Sequence, residues 1–528
     1  MNKTKKFFYN SLSVVILQIV KMAVGFILPR IMLKYYGSEI NGLVTSIVQF
    51  ISYFNLVEAG LGSATVYALY KPLSTKNKEK ISEVVSTAKN FYYKSGILFT
   101  ILVTILALLY PVFIQDLCLS KIETIFLILI LGGNGILQFF TMAKYRTLLT
   151  ADQKIYIISI AEILYYIINT TIIVILAKFN INIVIIKLIA LSAIITRSAF
   201  LTIYVRKKYS YINYKCKPNN KLVDKRWDAL FLQILGTVQQ GFPVVILTLM
   251  SNLLTVSVFA IYNMVFAGIN NLLSIFTSGL SSSFGIIIAE GDKKNIQKTT
   301  AEFEYFYYNI ITIIYSVTIA MIMPFISLYT RSITDVNYYI PIIGILFTIN
   351  GIMYNLKTPQ GMLVISAGLY KETRKQTSVQ TAILLILGVA LTYRFNIIGI
   401  MIASIFSNLY RVIDLTIFAS KNITENPIKK TIYKQIKTIL IIALTCIVST
   451  FAKLQISNYF EWIMYAGIIF IIVSIFLLMI DLVFERKNLK SIIERIKMIA
   501  RRWYLCILLM KNTAVDVQLV RIYAQSKP

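Results

Sequence analysis

The stretch from Ser13 to Arg30, SVVILQIVKMAVGFILPR, is apolar enough to lie in a membrane, yet it carries Lys21 at its centre. Other apolar stretches hold Glu58, Glu162, Arg197, Lys357 and the pair Arg411 and Asp414 in the same way. A charge placed mid-bilayer costs at least about 2.5–3.5 kcal/mol on insertion scales, so such a group faces a hydrated chamber, a partner, or both. Lys21 stands about thirteen residues from either end of the full apolar run, 8–33, roughly 20 Å from water by helix rise, farther than a lysine stem reaches. An ion pair with Glu58 would make it a packing device, whereas a cavity would make it a binding group; both stay open. Arg411 and Asp414 are three residues apart, a spacing at which they neutralise each other on one helix. Lys357, like Lys187, lies nearer the end of its stretch, where snorkelling is an equal alternative. Lys21, Arg197, Lys357 and Arg411 outnumber Glu58, Glu162 and Asp414. With the amides of Gln18, Gln239, Gln240, Asn270 and Asn271 they describe a positive, hydrogen-bonding chamber. Such a chamber suits an anion that bears hydroxyls, for example a diphosphate joined to sugars. Glu58 and Glu162 are the groups able to couple that site to a proton or sodium gradient.

The elements that position these groups follow from composition. Of 528 residues, 57% are hydrophobic and only 14% charged, against an apolar content of roughly 45–50% in a soluble chain. Apolar runs of about 20 residues, the length that crosses about 30 Å of hydrocarbon, occur fourteen times. They lie near 8–33, 40–70, 91–115, 122–148, 155–177, 183–205, 228–250, 253–289, 303–329, 339–367, 377–394, 397–420, 432–453 and 459–484. None alternates in short segments as barrel strands do. The first run continues past Leu28, too far for a removable signal peptide. Lys and Arg crowd the even-numbered connections, above all Arg206 to Arg226 but also Lys144, Arg146 and Lys154, and Lys421, Lys429, Lys430, Lys434 and Lys437 around the start of the thirteenth run, and thin out in the odd-numbered ones, which predicts both termini on the cytoplasmic side. The formal charge of +30 is then a matter of orientation, and nucleic acid is not expected as a partner.

The longest polar connection, RKKYSYINYKCKPNNKLVDKRWD, divides the chain near its middle. The pattern predicts an all-α polytopic membrane protein of fourteen transmembrane helices. Two pseudo-symmetric six-helix bundles, 1–205 and 228–420, flank a cytoplasmic linker at 206–227. Two additional helices occupy 421–484 and a basic amphipathic tail 485–528. Internal echoes support the pairing: Gly60-Leu61-Gly62-Ser63 with Gly279-Leu280-Ser281-Ser282, Phe179-Asn180-Ile181 with Phe395-Asn396-Ile397, and Leu201-Thr202-Ile203-Tyr204 with Leu415-Thr416-Ile417-Phe418. Repeats are a common plan of transporters, and an even number of helices per half puts the symmetry axis along the membrane normal. By this repeat Arg197 corresponds to Arg411. In the tail, Leu489, Ile492, Ile493, Ile496, Ile499, Ala500 and Trp503 share one helical face, which fits a helix lying in the inner headgroup layer.

Other chemistries find little support. The chain has no histidine, and its cysteines, Cys118, Cys216, Cys446 and Cys506, are scattered singly, which removes the usual zinc sites and histidine-based catalysis. The pattern Gly-x-x-x-x-Gly-Lys-Ser/Thr does not occur, so ATP hydrolysis by this chain is not expected. Connections assigned to the outside, such as 116–121 and 178–182, are too short to carry a catalytic site. Neither enzymatic activity nor a cofactor is expected.

The segment PRIMLKYYGSEINGLVTSIVQFISYFNLVEAGLGSATVYALYKPL from Pro29 to Leu73 contains the elements Tyr36-Gly37, Asn41-Gly42 and Gly60-Leu61-Gly62. With the fourteen-segment layout and the paired halves, it resembles the polysaccharide transporter family. These are the repeat-unit flippases of O-antigen, capsule and exopolysaccharide synthesis within the multidrug/oligosaccharidyl-lipid/polysaccharide (MOP) exporter superfamily. The resemblance covers residues 1–485. It implies that an undecaprenyl-diphosphate-linked oligosaccharide is moved from the inner to the outer leaflet of the bacterial cytoplasmic membrane by alternating access, with a polysaccharide polymerase as downstream partner. It also implies a cationic central cavity, which Lys21 and Arg197 match. On this expectation Lys21, with Arg197 or Arg411, holds the diphosphate, Gln and Asn side chains contact sugar, and the prenyl tail stays among membrane lipids. A lipid II flippase is the alternative within the superfamily; a multidrug exporter would be expected to show twelve spans and an acidic cavity.

Overall fold

The computed structural model describes residues 3–114, 117–214, 216, 219, 227–452 and 456–494. Its regular elements are helices. Helix α1 (Lys3–Phe54) bends where Gly37 takes φ 81° and ψ 173°. A 3₁₀ turn, Asn55–Glu58, and Gly60 at φ 77° separate it from α2 (Leu61–Ser74). Then come α3 (Lys78–Phe113) and α4 (Lys121–Leu137), the latter running through a π turn, Gln138–Met142, into α5 (Ala143–Ala151). The first half ends with α6 (Ile155–Lys178), α7 (Ile183–Ala190) and α8 (Ser192–Lys208). The second half holds α9 (Trp227–Met250), α10 (Leu253–Glu290), α11 (Lys293–Tyr329), α12 (Pro341–Leu356), α13 (Thr358–Ser366) and α14 (Arg374–Ala419). Helices α15 (Ile428–Ala452) and α16 (Tyr459–Phe484) complete the order. Starts are set by side chains that accept the first free backbone N–H groups: Asn77, Ser120 with Glu123 as a capping box, Asn182, Asn252, Asp292 and Asn458.

Among the described residues, eleven helical segments are long and apolar enough to cross a membrane. The sequence reading has fourteen because two of these segments are of double length and one is broken. Tyr9–Ser74 bends at Gly37, and Arg374–Thr424 bends at Asn396, with φ 47° and ψ −126°. Both bends fall where the sequence sets a short connection. The tenth run is interrupted at Lys357 into α12 and α13, each shorter than a crossing needs.

Apolar burial falls into several clusters. The largest cluster draws Leu33 together with residues from Val244 to Ile442, such as Tyr262, Tyr315 and Phe347. Others join Leu69 to Ile212, or Leu43 to Ala143 with Leu253, or Ile173 to Ala190. Between the halves α1 packs on α9 and α10. Only glycine fits at position 42, since a Cβ there would lie 1.9 Å from the Leu253 carbonyl oxygen. Hydrogen bonds from the first half to the second gather on α1 between Phe26 and Ser46, toward the Gly37 end. Ser38 donates from N and Oγ to the Asp335 carboxylate, each at 2.7 Å, and Tyr338 donates to Ser38 Oγ at 2.6 Å. Asn41 donates to Ser257 at 2.8 Å, Thr248 to Ser46 at 2.8 Å, Tyr329 to the Phe26 carbonyl at 2.6 Å, and Arg30 to Tyr459 at 2.9 Å.

At the other end, α1 is pinned by Lys6 and Asn10 to the turn before α6, where Asp152 meets Lys6, Lys154 and Tyr209. Burial pushes the Asp152 carboxyl up, but hydrogen bonds from Lys154 and Tyr209 and the two lysine charges outweigh it and hold the group below its ordinary value. The start of the expected linker folds back on the first half: Tyr209 and Ile212 are buried, and Ser86 donates to the Cys216 carbonyl at 2.7 Å. Helix α15 brings Lys434 onto Glu304 at 3.1 Å and Lys437 onto Asp481 at 2.8 Å. The sequence counts both lysines among connection charges, but they face α11 and α16 and are buried. Residues 486–494 are helical. The rest of the expected amphipathic face, Ile496, Ile499, Ala500 and Trp503, lies outside the described residues.

Candidate functional site

Lys21 on α1, Glu162 on α6 and Arg197 on α8 meet because α6 packs against both other helices. Lys21 Nζ lies 3.0 Å from Glu162 Oε2, and Arg197 Nη2 donates to Glu162 Oε1 at 2.8 Å. Tyr165 and Tyr166 lie three and four residues after Glu162, so their rings stand on the same face of α6. They flank the cations at 5.9 Å from Arg197 and 5.7 Å from Lys21. Two cations share one carboxylate, so the triad keeps a net charge of plus one. The Lys21 side chain is 32% exposed, whereas those of Glu162 and Arg197 are 15% and 9% exposed. Arg197 Nε is buried without a hydrogen-bond partner among the described residues.

Arg197 lines a cavity of about 630 Å³. Its other polar walls are Ser52, Asn55 and Glu58, then Asn134, Gln138 and Arg146, the two tyrosines, and Gln233 from α9. Two irregularities shape it. The 3₁₀ turn and Gly60 interrupt the passage from α1 to α2, which turns Asn55 and Glu58 toward the space. The π turn between α4 and α5 shifts the helical register of α5 relative to α4, and Arg146, a connection charge by sequence, becomes part of the wall.

A second cavity of about 620 Å³ lies among the helices of the second half, with Gln49 of α1 at its edge. Its walls are amides: Gln239 and Gln240 on α9, Asn263, Asn270 and Asn271 on α10, Asn350 and Asn355 on α12, and Gln380 and Asn408 on α14. Lys357, at the break between α12 and α13, is the cation there. Its partners are neutral, Asn408 Oδ1 at 2.7 Å and the Tyr354 ring at 4.8 Å. Asn408 donates in turn to Asn350 at 2.9 Å, Asn355 to Asn270 at 2.8 Å, and Gln239 to Thr381 at 2.7 Å. Amides both donate and accept, which matches the paired hydroxyls of a sugar, and Phe266, Phe347 and Tyr354 supply flat apolar faces.

The structure thus sorts the candidates. Lys21 pairs with Glu162 and not with Glu58; of the triad Arg197 lines the first cavity, while Lys21 and Glu162 stand behind it and line neither of these cavities. Glu58 faces the first cavity. Lys357, Gln239, Gln240, Asn270 and Asn271 come together in the second. Arg411 is tied to Asp414 at 2.5 Å, as their spacing requires, and lines neither of these cavities; Gln18 is half-buried on α1 and lines neither as well. Sequence reasoning misses Arg146, Asn134, Gln138, Asn350, Asn355, Gln380 and Asn408. The available signal for most of them was an amide inside an apolar helix, a weaker form of the argument used for the charges.

The fold is shared with MOP-superfamily transporters of known structure. The lipid II flippase MurJ in an inward closed conformation superposes with a TM-score of 0.64 at 15% identity, over 90% of this chain and 99% of that one. A multidrug resistance MATE-family transporter of the MOP superfamily, inward-facing, gives 0.63 at 13% identity over 82% and 98%. A MOP-superfamily transporter from Pyrococcus furiosus, whose binding pocket is described as of reverse polarity and suggestive of a different function, gives 0.57 at 14% over 82% and 96%. No protein-family model matches the chain, and no curated protein matches it in sequence. At these identities the likeness carries the MOP fold alone. Within that fold the triad stands on helices of the first half and the amide cavity mainly on helices of the second.

Proposed function

We propose that this chain is a flippase that moves an undecaprenyl-diphosphate-linked oligosaccharide repeat unit across the bacterial cytoplasmic membrane for capsule, O-antigen or exopolysaccharide synthesis. The observation that carries the reading is the Lys21–Glu162–Arg197 triad: two cations on separate helices, a net positive charge, and a spare guanidinium donor beside a cavity of about 630 Å³. Each charge-assisted contact to a phosphate contributes about 1.5–3 kcal/mol, which offsets part of the lost headgroup hydration. The saccharide then occupies the amide cavity around Lys357, Asn270 and Asn408, and the prenyl chain stays in lipid between helices. In this reading residues 1–205 and 228–420 are two bundles, and the Gly37 end faces outward. The seam at Ser38, Asn41 and Ser46 closes that face while the cavities serve the cytoplasmic side; rocking about the seam exposes them alternately. Glu58 or Glu162 couples the cycle to protons or sodium.

Replacing Lys21 by alanine is expected to abolish surface glycan at unchanged protein level in a strain that depends on this gene. Full complementation by that variant rejects the role. A lipid II flippase is a second reading, favoured by the superposition over nearly the whole of MurJ and by the same headgroup chemistry. Rescue of a strain lacking its lipid II flippase separates the two.

A further inference from the structure

Glu162 holds two cations at once, as an anionic ligand would. One of its oxygens takes Lys21 at 3.0 Å and the other takes Arg197 at 2.8 Å, so a single carboxylate bridges cations from two helices. Yet it does not use what the site offers. Arg197 is buried, and among the described residues its Nε finds no acceptor. The guanidinium fork therefore has a donor for which a carboxylate is too small and too weakly charged once it also serves Lys21.

The membrane supplies a reason for such a tenant. Any cation in a chamber that admits a lipid headgroup meets phospholipids, many of them phosphodiesters with one negative charge, in large excess over a rare diphosphate. A bare pair of cations would fill with them. With Glu162 in place, a singly charged phosphate offers Lys21 and Arg197 no more than they already have. Displacement would also strand a largely buried carboxylate without its partners, which is unfavourable. A diphosphate carries more charge and has oxygens enough to bridge both cations and still reach Nε. We infer that, on the flippase reading above, Glu162 is a resident counter-anion that a lipid diphosphate displaces and a monoanionic phospholipid headgroup does not, which makes it a specificity-determining residue. Charge excess alone sets the threshold.

The test uses the full chain in nanodiscs of neutral lipid, with farnesyl diphosphate and farnesyl methyl phosphate, a phosphodiester with one negative charge, as probes in calorimetric titrations. Wild type is expected to prefer the diphosphate by about tenfold or more, the difference between one charge-assisted contact and none. In Glu162→Gln both probes bind more tightly, the phosphodiester gains more, and the preference shrinks. Glu162→Asp, which keeps the charge, keeps the preference. Added phosphatidylglycerol leaves the wild type unaffected and competes in Glu162→Gln. The inference is overturned if Glu162→Gln keeps the wild-type ratio, if it loses both probes while remaining monodisperse with an unchanged melting temperature, or if phosphatidylglycerol already competes in wild type. The last result decides the matter even where the Gln variant does not fold. A wild type that binds neither probe overturns the flippase reading together with this one. An unchanged ratio in Glu162→Gln overturns only the role of Glu162.

Discussion

Replacing Lys21 by alanine changes the triad from a net charge of plus one to zero, because Glu162 then has Arg197 to itself at 2.8 Å. One charge-assisted contact to the diphosphate is lost, about 1.5–3 kcal/mol, which weakens binding of a soluble isoprenyl diphosphate by roughly 10–150-fold. The second perturbation reverses this. In the double variant Lys21→Ala, Glu162→Gln, Arg197 is free of its carboxylate and the net charge returns to plus one. The double variant is expected to bind farnesyl diphosphate more tightly than Lys21→Ala, within about tenfold of wild type. Residues in direct contact show interaction energies of about 0.5–3 kcal/mol in such cycles, so the effect is measurable by calorimetry in nanodiscs, with melting curves recorded in parallel. If Glu162 instead serves only to hold α1, α6 and α8 together, the double variant binds no better than Lys21→Ala and melts lower than both. That result would refute the reasoning.

Contacts elsewhere set three further outcomes. Asp335→Ala removes both acceptors of Ser38, charge-assisted bonds of about 1.5–3 kcal/mol each. An Asn41→Cys reporter in a background without the native cysteines should then react faster with a membrane-impermeant thiol reagent, and unchanged labelling would show that the seam does not open there. Lys437→Met leaves Asp481, 1% exposed, with only neutral donors from Tyr305 and Asn309 at 2.6 Å. Breaking a buried pair this way costs about 3–5 kcal/mol, so a clearly lowered melting temperature is expected, and an unchanged one contradicts the assigned packing of α15 and α16. Because Asp152 is held below its ordinary value of 3.8, its contribution to stability is present in full above that pH and is lost as pH falls through the lowered value. Asp152→Asn should remove this component, so that the melting temperature falls less steeply on the acid limb than in wild type, and an unchanged slope contradicts the assignment.

Hydropathy made the helices legible, because a span in lipid has to be apolar over most of its length. The bends were legible as well: Gly37 and Asn396 stand at the short connections, where backbone at positive φ lets a chain turn within one residue. What hydropathy does not encode is which face of a helix meets which neighbour. Glu58 was an attractive partner for Lys21 since it lies on the adjoining segment, but the pairing that forms joins α1 to α6, 141 positions apart, and depends on how three helices pack. The same blindness hid Arg146. Its place in the cavity wall depends on a π turn at Gln138–Met142 that no residue pattern announces. Lys434 and Lys437 misled in the opposite sense, as interior partners of Glu304 and Asp481 counted among topological charges. Gln239, Gln240, Asn270 and Asn271 were legible as amides inside apolar runs, whereas Asn350, Asn355 and Asn408, equally placed in apolar surroundings, were not singled out.

Flipping itself can be measured in vesicles that carry the purified chain and a labelled undecaprenyl-diphosphate oligosaccharide, by the fraction of saccharide that an externally added, impermeant glycosidase can reach over time. Wild-type vesicles are expected to lose the saccharides of both leaflets, while vesicles with Lys21→Ala lose only those of the outer leaflet. Equal loss in the two preparations, or no loss beyond the outer leaflet with wild type, would contradict the account.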